Sequence, residues 1–166
     1  MTRYINATDT AKIIRRKLAE TFPGQRFSVT SKSYSMGASI SIKWTDGPTE
    51  DEVESITGQF EGADFDGSID LKSYHDSYLN GERVHFGADY VFCSRFLSEA
   101  ATAIVRAEFD REFPGGIWSY DPFYGESRID DETMQREFRR MALARSFYVH
   151  PDTQRDGELM HEYRDF

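Results

Sequence analysis

Apolar residues recur along this chain with two different periods. Ala11, Ile14, Leu18 and Phe22 lie three or four residues apart, which puts them on one face of a helix. Thr8 or Asp9 can cap that helix, and Pro23-Gly24 stops it. Lys12, Arg15, Arg16 and Lys17 fill its other side. The period then drops to two. In 26–32, Phe27 and Val29 alternate with polar residues. In 38–44, Ala38, Ile40, Ile42 and Trp44 alternate with Ser39, Ser41 and Lys43. That alternation predicts two strands of a sheet with one buried face, joined as a hairpin through 34–37. Asp46-Gly47-Pro48 reads as a turn. Thr49 followed by Glu52 predicts a capping box opening a second helix, with Val53, Ile56 and Phe60 as its apolar stripe and Gly62 at its end.

Two further strands are expected within 68–74 and 83–92, with Asn80-Gly81 between them as a hairpin turn. The second half of the chain turns helical. The segment 97–113 reads as a helix capped near Ser98, with Ala101, Ile104, Val105, Phe109 and Phe113 on one side. Pro114-Gly115-Gly116 breaks it, and 117–128 reads as an aromatic loop. Asp130 or Asp131 caps a fourth helix running to about 147, with Met134, Phe138, Met141 and Leu143 inward. The order of elements predicts an α+β fold: an antiparallel sheet of about four strands with helices packed on one face, plus a C-terminal helical extension. The expected organisation is an α+β domain over 1–97, a helical extension over 98–149 packed on it, and a polar tail over 150–166. The expected core holds Ile14, Leu18, Phe27, Val29, Ile40, Ile42, Trp44, Val53, Ile56, Phe60, Val91 and Ile104.

Composition narrows the classes. The 166 residues suit one domain or one domain with an appendage, and 14% aromatic content is too high for a disordered chain. The net charge is −9, which argues against a protein that coats duplex DNA, since that needs a basic face. The single cysteine, Cys93, allows neither an internal disulfide nor a zinc-cysteine cluster. No apolar run is long enough for a membrane span and no signal-peptide pattern opens the chain, so a cytoplasmic protein without a membrane partner is expected.

Few residues are arranged for chemistry. His75, His85, His150 and His161 fall in no metal-ligand spacing. Cys93 sits in the apolar run Tyr90-Val91-Phe92-Cys93, which reads as a buried structural thiol. On a single strand, His85 and Cys93 would face the same side, the one pairing that raises a nucleophile. Asp64-Phe65-Asp66-Gly67 with Asp70 has the look of a cation loop but lacks the further oxygen ligands such a loop needs. No phosphate-cradling glycine pattern is present. Hence no catalytic residue, no metal ligand and no cofactor is expected.

Two surface features remain. From Asp46 to Asp70 no Lys or Arg interrupts a series of acids that includes Glu50, Asp51, Glu54, Glu61, Asp64 and Asp66. These carboxylates either form a solvated helix face with turns or stand in for phosphates before a basic groove on a partner. The other feature is the aromatic loop with Trp118, Tyr120, Phe123 and Tyr124, residue types that anchor protein interfaces or stack on bases.

A series of strings also has a family look. They include Thr10-Ala11-Lys12-Ile13-Ile14-Arg15, Phe22-Pro23-Gly24, Ser31-Lys32-Ser33-Tyr34, Trp44-Thr45-Asp46-Gly47-Pro48-Thr49, Phe60-Glu61-Gly62-Ala63-Asp64-Phe65-Asp66-Gly67 and Phe86-Gly87-Ala88-Asp89-Tyr90-Val91-Phe92-Cys93. Over roughly 8–97 they resemble the large polyvalent protein-associated domains of class twenty-nine. The resemblance implies the company of phages and conjugative elements, and it carries no catalytic residues. Together with the acidic segment it leads to an expected function. The chain is expected to be a non-enzymatic mobile-element protein that binds and inhibits a host defence complex, such as a CRISPR or restriction system. Its partner would be a protein or ribonucleoprotein in the bacterial cytoplasm. The alternative is a nucleic-acid-binding accessory module, with helix one or helix four and the aromatic loop as its contact.

Overall fold

The computed structural model describes residues 2–66, 71–74, 77–115, 118–121, 126–129 and 131–152. The chain forms two compact units, one of Met1–Phe96 with Tyr148–Phe166 and one of Leu97–Phe147.

The first unit opens with a short strand, β1 (Arg3–Ile5), which the sequence pattern did not announce. Helix α1 (Ala7–Thr21) follows. Its cap is Asn6, not Thr8 or Asp9: the Asn6 side chain accepts the backbone N–H of Asp9. The predicted hairpin is β2 (Ser28–Tyr34) and β3 (Gly37–Thr45), in register from Ser28↔Lys43 to Tyr34↔Gly37. Helix α2 (Glu50–Thr57) carries the predicted capping box between Thr49 and Glu52, then tightens into a 3₁₀ turn over Gly58–Phe60. The strands β4 (Ala63–Asp66), β5 (Leu71–Tyr74), β6 (Ser77–Leu79), β7 (Glu82–Phe86) and β8 (Tyr90–Phe96) complete the unit.

The class is α+β, but the sheet differs from the expected one. Two three-stranded sheets of mixed direction, ordered β2-β3-β8 and β1-β7-β6, stand beside a two-stranded β4-β5 pair. β3 runs parallel to β8, and β1 runs parallel to β7. The single strand expected over 83–92 is two strands in two sheets. Between them, Gly87 donates its N–H to Ile5, and Asp89 donates to Ala38 across the other sheet. The same bend brings the Ala88 carbonyl to the N–H of Gly62 at 2.8 Å. A Cβ on Gly62 would stand 1.9 Å from the Phe86 carbonyl oxygen, so only glycine fits that approach. Asn80-Gly81 does form a hairpin turn, both residues at positive φ, but it joins β6 to β7.

The core lies where the two periods meet. Ile14 and Leu18 of α1, Ile40, Ile42 and Trp44 of β3, and Val53 of α2 are all buried. Phe27, Ile56 and Val91 pack against this cluster half-buried. Phe27 bridges Phe22 and Trp44, and the Tyr148 ring meets Phe22 edge-on at 5.1 Å. Tyr148 also donates its hydroxyl to the Pro23 carbonyl, so the chain beyond the second unit begins against the first. The rest of the expected tail, 153–166, lies outside the described residues.

In the second unit, α3 (Glu99–Glu112) is capped by Ser98 as expected. Its buried side is Ala101, Val105 and Phe109, while Ile104 is 45% exposed and is not a core residue. Helix α4 (Glu132–Ala144) is capped by Asp131. Phe138 packs edge-on against Phe109, but Leu143, expected inward, is exposed. The segment expected as an aromatic loop contains an antiparallel pair, β9 (Trp118–Asp121) with β10 (Glu126–Ile129).

Candidate functional site

The acidic segment resolves into residues with different work. β8 is an edge strand, and the Val91 and Arg95 N–H groups lie on the same side of it by the period of two. Glu61 accepts the Val91 N–H at 2.7 Å, and Glu50 accepts the Arg95 N–H at 2.7 Å. Glu52 is committed to the backbone N–H of Thr49. Helix α2 and its 3₁₀ turn therefore cap an open sheet edge with carboxylates, a common protection of unpaired strand donors. Asp51 and Glu54 are the exposed remainder on α2. The Glu54 carboxyl is pushed above its ordinary value, first by burial and then by Glu50, Asp51 and Glu61. Asp64 and Asp66 lie on β4 opposite Ser73 and Leu71, a strand and not a turn. Asp70 lies outside the described residues.

The Cys93 and His85 pairing on one strand is overturned. Cys93 is on β8 and His85 on β7, in separate sheets. The His85 ring stacks on Tyr4 at 5.9 Å. The Cys93 sulfur lies 3.7 Å from the Thr57 hydroxyl, and burial pushes the thiol up to about 11. A thiol held so far above neutral pH is a poor nucleophile. Among the described residues no group of three His, Cys, Asp or Glu side chains is placed to hold a metal ion.

The aromatic cluster is divided as well. Trp118 belongs to the packing of its own unit: its ring meets Phe109 and Phe138 edge-on, and the Arg106 guanidinium lies 4.0 Å over it. Its indole N–H donates to Asp110. Tyr120 is placed on β9 opposite Ser127. Phe123 and Tyr124 lie outside the described residues. An open groove of about 450 Å³ runs between Trp118, Ile129, Phe138 and Arg139. Among the described residues its lining offers a guanidinium and an amide but no carboxylate, thiol or imidazole.

A surface that sequence reasoning passed over is the outer face of the β2-β3-β8 sheet. The register aligns Lys32, Ser39 and Tyr90 in one row, and Thr30, Ser41 and Phe92 in the next. Ser28, Lys43 and Ser94 follow, then Thr45 with Phe96. Phe92 is 54% and Phe96 55% exposed, although both lie on a strand whose other face joins the core. Tyr90 and Phe92 stack at 5.8 Å. The signal was present in the sequence: aromatics at 90, 92 and 96 share one face, but an apolar run does not say which face is covered.

The family model for large polyvalent protein associated domain 29 matches residues 5–98. The chain belongs to that family. The match runs from the last residue of β1 through β8 to the cap of α3, so it takes in the buried core cluster of the first unit, Ile5 to Ala88. As a member, the chain is a domain associated with phages and mobile elements. No curated protein and no solved structure matches it. Among the described residues no helix is long and apolar enough to cross a membrane.

Proposed function

We propose that this polyvalent-protein domain is a non-enzymatic protein of a mobile element that binds a host defence complex, a protein or ribonucleoprotein, in the bacterial cytoplasm. The observation that carries the reading is the exposed pair Asp51 and Glu54 on α2. Its potential is reinforced by Glu50 and Glu61, held a short distance away by their bonds to β8. Carboxylates on a rigid helix, close enough together that their charges help raise the Glu54 carboxyl, attract a basic groove from a distance. The raised Cys93 thiol and the separation of His85 from it support a binding role over nucleophilic catalysis.

Charge reversal at Asp51→Lys and Glu54→Lys tests the reading. It should slow association with a defence complex and relieve inhibition, and added salt should weaken the wild type in the same direction. The control is Glu158→Lys with Glu162→Lys, which changes net charge equally at acids far along the sequence. Equal effects from both double variants would reduce the matter to overall charge and remove α2 as the contact.

A further inference from the structure

We propose that the outer face of the β2-β3-β8 sheet is a binding platform for single-stranded nucleic acid, a surface distinct from the acidic side of α2. Three observations carry it. The first is the exposed aromatic line on β8. Tyr90 and Phe92 stack on each other, and Phe96 lies four residues on, about 13 Å along the strand. Phe92 and Phe96 keep apolar ring surface in water, and every base has a face that can stack on such a ring.

The second observation is charge. In a chain of net charge −9, the paired positions of this face hold two lysines, Lys32 and Lys43, and no carboxylate. Lys43 is paired beside Ser94, between the Phe92 and Phe96 rows, where a backbone phosphate linking two stacked bases would pass. The third is that the remaining positions in these rows are serine or threonine, hydroxyl donors for phosphate and base edges. Of the carboxylates that approach β8, Glu50 and Glu61 are turned to its edge, where they hold backbone N–H groups.

The pattern favours a single strand over a duplex. Two lysines are too few for the multiple phosphate contacts of a duplex site, and exposed rings gain only from bases that are already unstacked.

The test is fluorescence anisotropy of the whole chain with labelled poly-dT and poly-U oligonucleotides and a duplex, over a range of salt. Wild type should bind a single strand at low salt in preference to the duplex, and the two oligonucleotides distinguish DNA from RNA. Phe92→Leu and Phe96→Leu keep an apolar side chain and remove the ring; each should weaken binding about tenfold without moving the melting midpoint. Lys43→Ala should reduce the slope of log affinity against log salt by about 0.7. The paired control Lys12→Ala and Lys17→Ala on α1 should leave the ring dependence untouched. The proposal is overturned if no single strand binds at low salt, if the duplex binds equally, or if the leucine variants bind like wild type. A loss from the α1 pair as large as from the rings would move the contact to α1 and overturn it as well.

Discussion

Removing the Glu61 side chain probes whether the acids of this domain are surface or structure. Its carboxylate accepts the Val91 N–H at 2.7 Å on the open edge of β8. Hydrogen bonds to a charged group contribute about 1.5–3 kcal/mol. Water can reach part of this edge and replace the lost acceptor, so the lower end applies, about 1.5 kcal/mol. For a chain of this size that lowers the melting midpoint by roughly 3–6 °C. Glu61→Ala should therefore melt earlier by circular dichroism, and hydrogen exchange should show the Val91 amide losing protection. Glu54→Ala removes an acid of the same segment that only crowds its neighbours, and it should leave the midpoint unchanged or slightly raised. The pH dependence follows from the same arrangement. Glu54's carboxyl is raised above its ordinary 4.5, so the folded state holds the proton more tightly than the unfolded one. Its ionised form opposes folding at neutral pH, and that opposition fades as pH falls through the raised value toward 4.5. Glu54→Ala should remove this small gain on acidification. Equal midpoints for Glu61→Ala and Glu54→Ala, with Val91 still protected, would refute the clamp and return all these acids to the surface.

Ile42→Ala empties a fully buried site between Val29 and Cys93 in the register, and should cost about 2–5 kcal/mol in thermal or denaturant unfolding. An unchanged midpoint would mean that β3 does not bury this face. Cys93, pushed up to about 11, should react with iodoacetamide at pH 8 roughly a hundredfold more slowly than an ordinary thiol, and should regain normal reactivity in denaturant; fast labelling of the folded protein would contradict its burial. Trp118→Ala should cost about 2 kcal/mol, less than a fully buried tryptophan, through lost packing on Phe109 and Phe138. Loss of partner binding with stability intact would restore Trp118 as a contact anchor.

The local elements of this domain were legible because local physics decides them. The alternation over 38–44 named the buried residues of β3, since a strand's faces alternate whatever it pairs with. The Thr49–Glu52 box and the Ser98 cap were readable because a cap is satisfied within four residues. Asn80-Gly81 was readable as a turn for the same reason, but its partners were not, because a turn fixes the bend and not which strands flank it. Only tertiary structure divided 83–96 between two sheets. That division rests on hydrogen bonds that Gly87 and Asp89 donate to Ile5 and Ala38 and that the Ala88 carbonyl accepts from Gly62, residues more than 20 positions away. The same distinction governs the candidate surfaces. The sequence listed the acids between Asp46 and Asp70, but a carboxylate's role depends on what its oxygens reach. β8 lies beside α2 only because β3 and β8 pair in parallel, and that pairing turned Glu50 and Glu61 into strand clamps. It also left Phe92 and Phe96 in solvent, because hydrophobicity sets a residue's tendency to be covered while the packing of the other elements decides which face is.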